Sequence, residues 1–333
     1  MLDTVLVGKQ VVNVKLTYLL GLYAIIPLAL LLVWFDQSTL NRAILHSSPF
    51  RPESWIVWFY VFGMPHVVGG IQMFADKEYL QHYGWRLLRV FVVCLVVPPL
   101  VVSLLGQQYL FVIFMLFIVH HTVAQQFGLT LVALKRPPDV AFHVWKWTAV
   151  GVGVVLYSML YFVPFPLVVF NAYGMREPLL LVGEILLGLF LASAVALVWK
   201  HRGNRLGVAH VICNVALIAT DCYLFYVHYF FLVVLIGRVI HEFTAWPIYV
   251  VHDRNRNLVS YPNWLFRGFR WVASPAVLSL VFAFSLGFAL TYAVTLVSAM
   301  SSVIVSLSIY HYYTEHFLWR RDGLLRKHVN LIA

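Results

Sequence analysis

Apolar runs long enough to cross a bilayer recur from one end of this chain to the other, and they leave it few ways to fold. The first, Leu16 to Phe35, carries no charged side chain, and others follow near 55–75, 87–105, 108–134, 144–164, 178–199, 207–225, 228–252, 272–296 and 300–319. Each is close to the roughly 20 residues that a helix needs to cross the hydrocarbon core. In lipid only helices and closed barrels satisfy their own backbone, and these Leu/Val-rich runs lack the strict alternation of barrel strands. The expected fold is therefore all-α, a polytopic membrane protein of about ten transmembrane helices forming a single transmembrane helical domain over 1–333. With 62% hydrophobic and 11% charged residues, the composition lies outside the range of soluble domains. The first run ends in "LLVWFDQS", without a small-residue cleavage pattern, and reads as a retained span. Cys94, Cys213 and Cys222 are scattered and form no thiol motif.

The basic residues orient these spans. Alternate connections hold Lys77, Arg86 and Arg89, then Lys135, Arg136 and Lys146, then Lys200, Arg202 and Arg205, then Arg254, Arg256, Arg267 and Arg270. Lys9 and Lys15 at one end of the chain, and Arg320, Arg321, Arg326 and Lys327 at the other, belong to the same set; the opposite set has only Arg42, Arg51 and Arg176. Lys and Arg gather on the cytoplasmic side, so both termini are expected there, in a bacterial-type inner or plasma membrane. The net charge of +10 then lies mostly on one face, where membrane lipids account for it and no nucleic-acid partner is needed.

Within the spans, histidines stand out. His66 lies in "GMPHVVGG", His120 and His121 in "FIVHHTVAQQFGLTL", His241 in "GRVIHEFTAW", and His311 and His316 in "SIYHYYTEHFLW". At about 1.5 Å of rise per residue, His66, His121, His241 and His311 lie roughly 15, 21, 18 and 14 Å from Asp76, Lys135, Asp253 and Arg320. They share one layer on four helices running in the same direction. His46, His82, His143, His201, His252 and His328 fall in loops or at span ends, His210 and His228 close to them, and all read as solvated or interfacial. Two acidic residues join the layer: Glu242 adjoins His241, and Glu315 is one turn after His311 on the same face. These are the candidate catalytic carboxylates. Arg238, four before Glu242, is placed to pair with it, and Gln125, one turn after His121, to hold that ring's second nitrogen.

One membrane histidine often does no more than bond a neighbouring helix, but several imidazoles with two carboxylates at one depth exceed that need. A metal site follows, with His66, His120, His121, His241, His311 and His316 as candidate ligands. Imidazole with carboxylate suits iron, zinc or manganese. So many histidines exceed the four ligands of one tetrahedral zinc, which favours non-haem iron, one ion or two. His120 and His121 point about 100° apart, so both bind only if each serves its own ion or the helix is distorted.

The stretches "GMPHVVGG", "HEF" and "IYHYYTEHFLWRR" resemble the membrane histidine-cluster oxygenases, closest to the Brp/Blh type of membrane β-carotene 15,15′-dioxygenase. That resemblance implies iron-dependent oxidation of a lipid-soluble substrate, with His66, His241 and His311 as the matched ligands. The chain departs from the family where Val67 and Val68 follow the first histidine, and it lacks the clustered histidine spacing of fatty-acid desaturases. No Rossmann glycine pattern, P-loop or Cys-rich module is present, so electrons would come from an external donor or the substrate. Two further readings stay open: a haem-binding electron-transfer protein and a proton-coupled transporter with a His/Glu relay.

Overall fold

The computed structural model describes residues 11–49, 58–161, 172–296, 300–320 and 322–332. The start of the expected span 55–75 and the end of 144–164 lie outside the described residues, as do Lys9, Arg51 and Arg321. Among the described residues the chain is helical apart from one pair of two-residue strands. Among the described residues eight helices are long and apolar enough to cross a membrane, and the chain is an integral membrane protein.

The principal helices are α1 (Leu16–Ser38), α2 (Met64–Ile71), α3 (Lys77–Leu105), α4 (Gln107–Leu134), α5 (Val140–Tyr161), α6 (Ala172–Lys200), α7 (Arg205–Tyr226), α8 (Phe230–Arg256), α9 (Pro275–Leu296) and α10 (Met300–Leu318). All but α2 and α10 are among the eight. The described part of the expected span 55–75 is helical from 58 to 74 but changes helix type along its length. A π-helical turn, Phe59–Gly63, leads into α2, with Pro65 in the first helical turn, and a 3-10 turn, Gln72–Phe74, follows it. Proline has no N–H to donate, so it fits where the π-turn passes into the α-helix. The other exception, α10, carries "YHYYTEH" in its second half, too polar for an apolar span.

The helices form two compact units. One comprises Met1–Lys15, Ile56–Gly106 and Glu242–Ile332; the other comprises Leu16–Trp55 and Gln107–His241. Helix α8 contributes to both, changing from the second to the first after His241.

In the first unit α2 packs on α9 and α10, and α10 packs on α3. Close approach explains the first contact, because a methyl group on Gly287 of α9 would fall 2.6 Å from the backbone nitrogen of Pro65. Polar residues tie the ends of these helices together. Asp76 caps α3 by accepting the Glu78 N–H, and Arg256 at the end of α8 donates to both Asp76 oxygens at 2.8 and 3.1 Å. Asn255 accepts from the Val12 N–H and donates to the carbonyls of Val12 and His328. Beside it strand β1 (Val14–Lys15) pairs in parallel with β2 (Leu331–Ile332).

In the second unit α5 lies along α6, and α4 packs on α5 and α7. Its core holds Phe127, Trp145 and Phe190, the last two stacked 6.0 Å apart at 7°. Several buried polar groups pair across its helices, as groups out of water favour. Tyr23 of α1 donates to Asn214 of α7 at 3.0 Å, and Asn214 donates to Thr130 of α4 at 3.1 Å.

Candidate metal centre

Three helices of the first unit bring titratable side chains into its interior. His66 comes from α2, Glu242 from α8, and His311 and Glu315 from successive turns of α10; they are 1%, 5%, 0% and 2% exposed, so their charge is settled among themselves and not by water. The rings of His66 and His311 meet edge to face with centroids 4.7 Å apart. Glycine makes this meeting possible, since α2 presents the bare backbone of Gly70 to the His311 ring.

One of the distances is that of groups able to share a cation, and the other is somewhat longer. Nδ1 of His66 is 2.9 Å from Oε2 of Glu242, yet that carboxylate oxygen accepts no aligned hydrogen bond among the described residues. Two ligands each about 2.1 Å from an ion lie about 3.0 Å apart at 90° and about 3.4 Å apart at the tetrahedral angle. Nε2 of His311 and Oε2 of Glu315 are 3.7 Å apart. One ligand atom from each of His66, His311 and Glu315 can be chosen so that all lie within 4.8 Å of one another. Donors from His66, His311 and Glu315, with Glu242 beside His66, are of the imidazole and carboxylate kinds that bind a divalent cation.

Two further expected ligands meet in the second unit. His121 of α4 and His241 of α8 face each other edge on, with centroids 4.7 Å apart and planes at 80°. Gln125, one turn beyond His121, is buried, and Arg238 is half-buried one turn before Glu242.

His120 and His316 join neither pair. Helical phase explains both. His120 is turned about 100° from its neighbour and stacks on Trp147 of α5 at 5.5 Å. Five residues separate His316 from His311, which turns it about 140° around α10, and it is exposed.

The chain matches no family model, no curated protein and no solved structure.

Around the four residues lie groups that the sequence reading passed over. The Tyr249 hydroxyl donates to Oε1 of Glu315, and the Trp319 indole N–H donates to the same oxygen at 3.0 Å. One turn further along α8, Asp253 accepts from Nδ1 of His252 at 2.9 Å and from the Gln72 amide at 3.2 Å. A carboxylate only accepts, so Nδ1 carries the proton and Nε2 of His252 accepts from the Tyr79 hydroxyl at 2.7 Å. His252, expected at a solvated span end, is 2% exposed. His210 is buried too. A signal for this network was present: Glu242, Tyr249, Asp253 and Arg256 recur at helical spacing along one face of α8.

Outside the spans, two charges are tuned. Burial works against the charge of Asp76, but the Arg256 guanidinium outweighs it and holds the carboxyl below its usual range. Burial, with His252 and Arg256 adding to it, pushes the His328 imidazole down to about 3.

Proposed function

We propose that this is an integral-membrane non-haem iron oxidoreductase, of the oxygenase class, acting on a lipid-soluble substrate. The observation that carries the reading is the set His66, Glu242, His311 and Glu315, buried together on three helices. Two carboxylates out of water cost several kcal/mol each unless protonated or neutralised by a cation, and the imidazoles beside them are neutral donors suited to iron. Iron held there supplies one-electron redox chemistry toward dioxygen.

The chain's own residues would do the rest. His66 and His311 would hold the ion, and Glu242 and Glu315 would balance its charge. Tyr249 and Trp319 fix Oε1 of Glu315, so the other oxygen faces His311. Haem is disfavoured, because the His66 and His311 rings, 4.7 Å apart and nearly perpendicular, leave no slot for a porphyrin between them.

The reading includes ten spans, with the segments around α2 and α10 completing the set, and both termini on the cytoplasmic face. Parallel pairing of β1 with β2 supports an even number of crossings, since it sets residues 14–15 beside 331–332. The excess of Lys and Arg supports the cytoplasmic assignment.

The test is elemental analysis of detergent-purified protein, alongside a variant carrying His66→Ala and His311→Ala. Stoichiometric iron in the parent, no Soret band, and iron lost from the variant are expected. A parent produced in iron-replete cells and purified without metal, or a variant that keeps its iron, would falsify the proposal.

A further inference from the structure

His316 points away from the buried imidazoles to a cavity of about 370 Å³ between α3 and α10. Arg86 and Arg89 of α3 and Arg320 just beyond α10 line it with His316, and no carboxylate is among its walls in the described residues. None of the three arginines has a carboxylate within 4.0 Å among the described residues. Three unneutralised guanidiniums around one cavity repel each other, and that arrangement is relieved by an anion that all three can reach. Guanidinium forks match phosphate oxygens in pairs, which makes phosphate the fitting anion.

The neighbouring surface says where the phosphate comes from. Val90 and Phe317 form the apolar side of the cavity. Directly beyond the arginines on α3, the exposed surface becomes hydrocarbon: Leu88, Phe91, Val92 and Val93 are 51%, 43%, 50% and 53% exposed, as side chains against lipid tails must be. Trp85, with Arg89 over its ring at 5.3 Å, marks the level at which polar headgroups meet acyl chains. A basic pocket that opens onto such a belt fits an amphiphile whose phosphate lies among the arginines and whose chains run down α3.

We infer that this pocket binds the headgroup of an anionic phospholipid. Arg86, Arg89 and Arg320 grip its phosphate, His316 adds a hydrogen bond, and the acyl chains lie along Leu88 and Phe91. The site is separate from the proposed iron ligands, so iron content and lipid retention report on two independent proposals.

Native mass spectrometry of the full chain, delipidated in detergent and offered phosphatidylglycerol or phosphatidylcholine with the same acyl chains, tests it. The parent retains phosphatidylglycerol preferentially. Retention falls about fivefold per guanidinium removed, hence on the order of 100-fold in a variant carrying Arg86→Gln, Arg89→Gln and Arg320→Gln. Arg89→Gln alone gives the single step should the triple variant fail to fold. A control carrying Arg202→Gln, whose guanidinium also covers a tryptophan, keeps the preference. Equal retention of the two lipids by the parent, or retention unchanged by Arg89→Gln, overturns the inference. Displacement of the lipid by millimolar inorganic phosphate also overturns it, by assigning the pocket to a soluble phosphate compound.

Discussion

A methyl group on Gly70 would lie 2.6 Å from both Nδ1 and Cε1 of His311, and a ring packed between helices has little room to retreat. Gly70→Ala is therefore expected to cost about 1–3 kcal/mol as an overpacked core position, and to lower iron content along with thermal stability. Gly21→Ala, where nothing lies within 4 Å, should change neither; equal behaviour of the two variants in melting and metal analysis would remove the role given to Gly70. Tyr249 acts through Glu315, so Tyr249→Phe keeps the ring and loses only the donor. The expected result is a 10–100-fold weaker metal affinity at nearly unchanged melting temperature, read by competition with a coloured chelator. Of the side chains that the sequence singled out, the structure sets His66 beside Glu242 and near His311 and Glu315. The sequence reading passed over Tyr249 because one tyrosine among eighteen is noticed only through its phase relative to Glu242.

Where the elements end, charge decides how they hold. Asp76 caps α3 and receives both Arg256 bonds, so Asp76→Ala removes a cap worth about 0.5–2 kcal/mol and strands a guanidinium. Because the folded carboxyl titrates below its unfolded value, its stabilisation is complete above the usual carboxylate range. It is lost as pH falls through the depressed value. His328 has the same sign by a different route. Its folded value of about 3 lies below an unfolded value of about 6.5, so the unfolded chain binds the extra proton between them and stability declines as pH drops through that window. Melting temperature followed by tryptophan fluorescence from pH 7 to pH 4 should fall less steeply in His328→Gln than in the parent; identical slopes would disprove the assignment. Element boundaries also show what periodicity misses. Hydropathy merges the π-helical turn Phe59–Gly63 with α2 into one run, because it registers apolar character and not backbone hydrogen bonding.

For the molecule as a whole, a ligand that binds only the folded chain raises its stability by mass action, about 2.7 kcal/mol at a hundred times the dissociation constant. Ferrous iron added anaerobically to chelator-treated protein should therefore raise the melting temperature of the parent and leave that of the His66→Ala, His311→Ala variant unchanged. An equal rise in both would point to binding elsewhere. The paired segments β1 and β2 carry a topological prediction: reporters fused at either end should be active in the same compartment, and opposite readings would exclude an even number of crossings.

From the chain alone came the all-helical membrane class, because uninterrupted apolar runs of bilayer length admit no other backbone arrangement here. It also supplied the short list of side chains able to bind a cation, since ionisable groups are too costly in hydrocarbon to be there without a role. Only the tertiary structure decided which of them meet. Whether an imidazole on one helix faces a carboxylate on another depends on the rotation of each helix about its axis and on how closely the backbones approach. Packing at positions such as Gly70 and Gly287 sets both, and it also sent His316 outward to the arginines while holding His311 inside.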